Sequence, residues 1–138
     1  MRSDALFVTI APWPAIALLG FVLRPASWTA MAVAGLAILA TGLVLLTVAR
    51  LQLGNAFSAE PRATTLVTHG LYARIRNPVY VFGMVTLAGF VLYVQLPWLL
   101  LALVPLAALQ VVRARREAKV LEDAFGDAYR AWRARTWF

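Results

Sequence analysis

The chain contains four apolar stretches, which are separated by charged residues and prolines or, between the last two, by Gln95. They cover residues 5–23, 28–49, 79–94 and 96–112. A helix needs about 20 mostly apolar residues to cross a hydrocarbon core of about 30 Å. The last two stretches are shorter than this and are joined by a tight turn at Gln95 and Pro97, which indicates a helical hairpin. The pattern predicts an all-α, polytopic helical membrane protein with about four transmembrane helices, in a single domain of residues 1–138.

Prolines and small residues modify two of these stretches. Pro12 and Pro14 interrupt the first and predict a kink or a broken first turn. This stretch is long for a signal peptide and no A-x-A-like site follows it, so we expect a membrane span. Small residues in the second stretch would allow close helix packing, which we expect to occur within the chain. These small residues are Ala30, Ala34, Gly35 and Gly42.

The chain becomes polar from Arg113 onward, but apolar residues recur there at three- and four-residue spacing. They are Leu121, Phe125, Ala128 and Trp132. This spacing predicts a C-terminal amphipathic helix. We expect it to lie along the bilayer surface or to fold back on the central loop.

Basic residues fall almost entirely on one side of a four-span topology. Arg2, four arginines of the region 50–78 and seven basic residues of the tail 113–135 share one side, and Arg24 alone lies on the other. By the positive-inside rule, the side with twelve of the thirteen basic residues is cytoplasmic. We therefore expect a multi-pass protein of the bacterial inner membrane, with both termini and any active site in the cytoplasm.

The composition supports a membrane location and excludes several kinds of site. Hydrophobic residues make up 62% and charged residues 14% of the chain, whereas a soluble domain is about half apolar and a quarter charged. With no cysteine, one histidine and six scattered carboxylates, we expect no metal site. Anionic lipid headgroups account for the net charge of +7, so membrane lipids and not nucleic acid are the expected partners. The eight glycines contain no G-x-G, which disfavours a Rossmann nucleotide site.

Two polar segments at helix ends, 51–80 and 113–132, carry the candidate chemistry. Asn77 precedes a proline and Pro78 is suited to begin a helix, so Arg76, Asn77 and Tyr80 are expected at a helix entrance. Free backbone N–H groups at such an entrance would suit a carboxylate or phosphate.

Aromatic and charged residues extend this candidate site. Tyr72 and Tyr80 offer aromatic faces to a purine or a cation, and Arg113 and Glu117 share one helix face. S-adenosylmethionine carries adenine, ribose, carboxylate, ammonium and sulfonium groups that would match this set. Taken alone, the same residues also fit lipid headgroup contacts, an interfacial tyrosine belt and a surface ion pair.

Motifs along 51–132 favour an S-adenosylmethionine site, because together they resemble those of the isoprenylcysteine carboxyl methyltransferases and their bacterial relatives. The motifs are Leu53-Gly54-x-x-Phe57-Ser58, Leu66-Val67-Thr68-x-Gly70-x-Tyr72, Arg76-x-Pro78-x-Tyr80 and Arg113-x-x-x-Glu117-x-x-x-Leu121-x-x-x-Phe125-Gly126-x-x-Tyr129. The resemblance implies S-adenosylmethionine as the cofactor and Arg113 as the residue beside the methyl acceptor. It also implies cofactor contacts from Thr64, Thr65, Leu66, Val67, Tyr72, Asn77, Pro78, Val79, Tyr80 and Glu117.

The chain departs from the family pattern at three positions. Asn77 stands where the family usually has histidine, so a protonated role at that position is lost. Ala118 replaces the second of two acidic residues, and the expected glycine is displaced to Gly83. His69, beside the motif, is expected to be a solvated loop residue and not a catalytic base.

The resemblance predicts methyl transfer from S-adenosylmethionine to a lipophilic small molecule or lipidated acceptor that enters from the bilayer. A carboxylate acceptor is favoured because it is already ionised at neutral pH and the sequence shows no obvious base to deprotonate an amine. Two alternatives remain open at this point. One is an NADPH-dependent membrane reductase of sterol-like substrates, and the other is a non-catalytic membrane protein that retains the fold.

Overall fold

The fold is entirely helical over the residues that the computed structural model describes, 12–54 and 66–138. The elements are α1 (Pro12–Val22), α2 (Ala30–Leu53), a 3₁₀ turn (Gly70–Ala73), α3 (Pro78–Tyr93), a 3₁₀ segment (Pro97–Ala102), α4 (Leu103–Phe125) and α5 (Asp127–Arg133). The prediction of an all-α chain is confirmed for these residues. The first stretch is predicted to be kinked or broken at Pro12 and Pro14. Helix α1 begins at Pro12, and the residues before it lie outside the described part of the chain.

Two helical segments are long and apolar enough to cross a membrane: Ala30–Leu53, which is α2, and Pro97–Phe125, which joins the second 3₁₀ segment to α4. In the most apolar 18 residues of the second segment only 6% of the residues are buried within the protein. These exposed apolar side chains, such as Leu101 at 75% exposure, therefore need an apolar solvent. In the described residues α1 and α3 are shorter, at 11 and 16 residues, so the four-span topology remains a prediction.

The end of the last predicted span differs from the sequence-based expectation. The prediction placed a span at 96–112 and a separate amphipathic helix after it, but α4 runs without a break through both regions to Phe125. Pro105 is tolerated because it lies in the first turn of α4, where its missing N–H would have no intrahelical partner. The amphipathic region is instead divided at Gly126, whose φ of +50° separates the end of α4 from the start of α5.

Helices α2 and α3 pack closely because glycines line their contact. A Cβ at Gly42 would lie 2.7 Å from Oγ1 of Thr86, and Cβ atoms at Gly35 and Gly89 would overlap the backbone of Tyr93 and Leu39. The predicted intramolecular packing role is thus confirmed for Gly35 and Gly42. Ala30 and Ala34, which shared that prediction, lie exposed on the other faces of α2.

The turn predicted at Gln95 is present and closes one end of the bundle. Gln95 adopts a φ of +59°, and its amide nitrogen donates to the Ser27 carbonyl at 2.7 Å. The hydroxyl of Thr29, which also caps α2, donates to Oε1 of Gln95 at 3.0 Å. The α1–α2 loop and the α3–α4 turn therefore meet at one end, and the described residues of both polar segments lie at the other.

A buried cluster forms the opposite end of the bundle. Its centre consists of Ala49 from α2, Tyr72 from the 3₁₀ turn, and Tyr129 and Trp132 from α5. Half-buried apolar residues of α3 and α4 surround this centre, including Val79 and Leu121. Apolar burial therefore folds the two polar segments against each other and against the end of α2.

We predict that Gly89→Ala destabilises the bundle by about 1–3 kcal/mol, because the added methyl group overlaps the α2 backbone at Leu39. Thermal unfolding in detergent micelles measures the effect. Gly83→Ala is the matched control: it lies on the same helix with open space around its Cβ, so the melting temperature should stay the same or rise. Equal destabilisation by both substitutions would contradict the close α2–α3 packing.

Candidate functional site

The 3₁₀ turn Gly70–Ala73 is fixed to the end of α2 by one side chain. Oε1 of Gln52 accepts a hydrogen bond from the Leu71 N–H at 2.8 Å. Gly70 is required there, because its φ is +60° and a Cβ would overlap the Gln52 amide. This anchor turns Tyr72 inward, where it is only 5% exposed.

Tyr72 joins the 3₁₀ turn to the C-terminal region. The indole N–H of Trp132 donates to the Tyr72 carbonyl at 2.8 Å in a buried position. Burial, with the nearby Glu117 carboxylate and Tyr80, raises the pKa of the Tyr72 hydroxyl well above its ordinary value of 10, against a smaller opposing effect of Arg50. Tyr72 therefore stays neutral at physiological pH and keeps a proton that it can donate.

The helix entrance before α3 is built differently from the sequence-based expectation. Pro78 begins α3 and is fully buried, but the preceding backbone N–H groups are not free. Those of Arg76 and Asn77 donate to the carbonyls of Trp137 and Phe138, each at 3.0 Å. The predicted anion site of free N–H groups is therefore wrong at these two residues, because the chain terminus returns and pairs with them. The guanidinium side chain of Arg76 can still bind an anion.

Glu117 and Tyr80 meet across the interface of α3 and α4. The Tyr80 hydroxyl donates to Oε2 of Glu117 at 3.1 Å. This contact joins the two polar segments that carry the candidate chemistry. The Glu117 carboxylate can still accept further hydrogen bonds.

Arg113 occupies a different position from Glu117. It is exposed, and no ion pair with Glu117 is formed within the described part of α4. It lies four residues before Glu117 in α4 and therefore on the same helix face, one turn from the Tyr80–Glu117 pair. Arg113 does not line the cavity described next.

A cavity of about 310 Å³ lies between the loop, α4, α5 and the C-terminal residues. Its walls are formed by Leu53, Leu66, Val67, Tyr72, Arg76, Asn77, Val111, Ala114, Arg115, Glu117, Ala118, Leu121, Tyr129, Trp132, Arg133 and Phe138. Five residues predicted to contact a cofactor are therefore brought into one wall: Leu66, Val67, Tyr72, Asn77 and Glu117.

The other predicted site residues lie elsewhere. Pro78 and Val79 pack behind the cavity wall, Pro78 buried at the start of α3 and Val79 against the aromatic cluster. Tyr80 reaches the cavity only through Glu117. Thr64 and Thr65 lie outside the described residues, as do Phe57 and Ser58. His69 is exposed, as expected for a loop histidine.

Several cavity residues were not predicted as site residues. Arg76 is expected at the helix entrance as part of an anion site, but not as a cofactor contact. Tyr129 is expected only as part of the C-terminal motif and Trp132 only on the apolar face of the C-terminal helix, so their residue types were a usable signal. Arg115, Arg133 and Phe138 gave no such signal, because only the return of α5 and the tail places them here.

The charged residues of the cavity wall favour a zwitterionic ligand, which carries both an anionic and a cationic group. Arg76, Arg115 and Arg133 line the cavity, and Glu117 is the single carboxylate residue in the described wall. The guanidinium of Arg133 also lies 3.8 Å from the Glu122 carboxylate. Nε of Arg76 is buried and has no hydrogen-bond partner among the described residues. The wall can thus hold an anionic group at Arg76, hydroxyl or ammonium groups at Glu117, and a planar ring against Tyr129 or Trp132.

Comparison with known proteins assigns this arrangement to a class, the helical membrane methyltransferases. The family model described as phospholipid methyltransferase matches residues 28–128, which include α2, α3, α4 and most of the cavity wall. The chain belongs to this family, to which the isoprenylcysteine carboxyl methyltransferase-like enzymes also belong. No individual curated protein gives a significant match. The family and the two apolar helices together identify a membrane protein.

We predict that Trp132→Phe destabilises the site end by about 1–3 kcal/mol, because the Tyr72 carbonyl loses its buried hydrogen-bond donor. Chemical unfolding in detergent monitors the loss. Trp137→Phe is the matched control, since the Trp137 side chain is 57% exposed and only its backbone pairs with the loop. If Trp132→Phe were as stable as the control, the indole bond would not hold the two segments together.

Proposed function

We propose that this protein is an integral membrane methyltransferase that uses S-adenosylmethionine and methylates a lipophilic small molecule or lipidated acceptor, at a carboxylate. One observation carries the proposal. Residues of two segments that are about forty positions apart, Tyr72 and Asn77 in one and Glu117 in the other, line a single cavity in a chain of the membrane methyltransferase family.

The cavity residues suit the chemical groups of S-adenosylmethionine. The volume of the cavity, about 310 Å³, lies within the range of small-molecule sites. The buried, unpaired Nε of Arg76 can donate to the cofactor carboxylate. Glu117, already held by Tyr80, can accept from ribose hydroxyls or the ammonium group. The aromatic wall of Tyr72, Tyr129 and Trp132 suits the adenine ring.

When bound, S-adenosylmethionine supplies an electrophilic methyl group on sulfur. An acceptor carboxylate forms the new O–CH₃ bond with an oxygen lone pair, and the S–CH₃ electron pair remains on the departing S-adenosylhomocysteine. No proton moves, because the acceptor is already ionised at neutral pH. The work of the protein is then to position the two reactants and to exclude water.

Arg113 is proposed to orient the acceptor. It is exposed on α4, one turn from the Tyr80–Glu117 pair, at the point where the apolar part of the Pro97–Phe125 segment becomes polar. A guanidinium there could pair with the carboxylate of a lipid that arrives laterally from the bilayer. We further propose a multi-pass topology in the bacterial inner membrane, with both termini and the cavity facing the cytoplasm, because four spans would place twelve of the thirteen basic residues on that side.

The two departures in the motif constrain the proposal without removing the site. Asn77 lines the cavity as an uncharged amide, and Ala118 lines it where the family often has a second carboxylate. Glu117 therefore acts without an acidic neighbour at the next position. The cofactor site is retained in this arrangement, and the acceptor is the part expected to differ from that of relatives.

We predict that Glu117→Ala weakens S-adenosylmethionine binding by about tenfold or more, because a charged hydrogen-bond acceptor is lost. Tyr80→Phe should weaken it by roughly three- to tenfold, since only the hydroxyl that orients Glu117 is removed. Titration calorimetry on the purified protein gives both dissociation constants. Asp123→Ala, an exposed carboxylate on the same helix and outside the cavity wall, should bind as tightly as the unmodified protein. Unchanged affinity in both site variants would remove the site assignment.

We also predict that labelled methyl groups pass from S-adenosylmethionine to lipid extracted from membranes, and that the product is released as methanol by mild base, as an ester would be. A control titration with NADPH should show no binding. Binding of NADPH without S-adenosylmethionine would support a reductase, and binding of neither would support a protein that has lost catalysis. A base-stable product would contradict the carboxylate acceptor.

A further inference from the structure

Gln110 is a polar residue within an apolar helical stretch. It lies in α4, in the part of the Pro97–Phe125 segment that precedes Arg113 and that is apolar enough to cross a membrane. Its side-chain oxygen is buried and has no hydrogen-bond partner among the described residues. A buried amide oxygen without a partner costs free energy that an apolar side chain of the same length would avoid. Polar side chains at such positions most often serve a function.

The position of Gln110 relates it to the cavity. Residues 110, 114 and 117 are spaced by four and three, so their side chains follow one face of α4. Ala114, Glu117 and the neighbouring Val111 all line the cavity. Helical side chains tilt toward the N-terminus of their helix, so the Gln110 amide lies on the membrane side of Val111 and Ala114. It is about 10 Å along the axis from the level of Glu117.

We propose that Gln110 is a further binding residue of this enzyme, whose amide oxygen accepts a hydrogen bond from a hydroxyl or amide N–H in the apolar part of the methyl acceptor. The inference rests on the proposed function, because it assigns the missing partner to the acceptor. S-adenosylmethionine is not that partner, since Gln110 lies outside the cavity wall. The acceptor is accordingly an amphiphile with a second polar group along its chain, and not a simple hydrocarbon-tailed carboxylate.

The test compares Gln110→Met, which keeps the length of the side chain but removes the amide, with Leu109→Met. Leu109 is the matched control because it neighbours Gln110 and is 61% exposed on the outer side of α4. Each variant is assayed for transfer of labelled methyl from S-adenosylmethionine to vesicles of total polar lipid from the membranes of the expression host. The KM for lipid, the KM for S-adenosylmethionine and the melting temperature are measured together.

The expected result is a KM for lipid that rises by roughly three- to tenfold in Gln110→Met, as the loss of one hydrogen bond predicts. The KM for S-adenosylmethionine and all parameters of Leu109→Met should stay at their original values. A purely structural amide gives a different pattern: the melting temperature of Gln110→Met rises because an unpaired polar group is gone, while its KM for lipid stays unchanged. That result would overturn the proposal.

A second readout separates Gln110 from the proposed function. The chain contains no cysteine, so Gln110→Cys and Leu109→Cys each carry a single thiol. In detergent, the same lipid extract should slow alkylation of Gln110→Cys by N-ethylmaleimide at least threefold more than that of Leu109→Cys. Protection without any methyl transfer by the unmodified protein would refute the proposed reaction and retain the binding residue. Equal slowing of both thiols would refute the binding residue.

Discussion

The candidate site depends on the hydrogen bond between the Trp132 indole and the Tyr72 carbonyl, at 2.8 Å, and on the buried cluster around it. The two residues are sixty positions apart, one in the loop before α3 and one in α5. In a buried position this bond satisfies a backbone carbonyl that water cannot reach. It holds the loop and the C-terminal region together, and the cavity lies in the space between them.

The rest of the bundle provides a rigid base for this arrangement. Glycines allow α2 and α3 to approach closely, so the end of α2 and the start of α3 are fixed relative to each other. Gln52 at the end of α2 positions the 3₁₀ turn, and Tyr80 at the start of α3 positions Glu117. The packed helices therefore fix the positions of the polar groups through two side-chain hydrogen bonds.

The same helices also connect the apolar region to the cavity. The apolar surface of Pro97–Phe125 is almost unburied within the protein. The same helix continues without a break into the polar part of α4 that contains Glu117. A single element thus passes from lipid to the cavity wall. The family assignment agrees with that architecture, and the described cavity wall contains three arginines and one carboxylate residue.

The helical class, the apolar segments, the turn at Gln95, the packing role of Gly35 and Gly42, and the family could all be predicted from the amino-acid sequence. Each of these follows from local composition, periodicity or a short motif, which neighbouring residues along the chain decide. Three features become visible only in the folded chain: α4 continues through Arg113 to Phe125, Gly126 separates α4 from α5, and the carbonyls of Trp137 and Phe138 accept from the N–H groups of Arg76 and Asn77. These features depend on where distant segments meet, and burial of aromatic side chains, not local pattern, sets that meeting point.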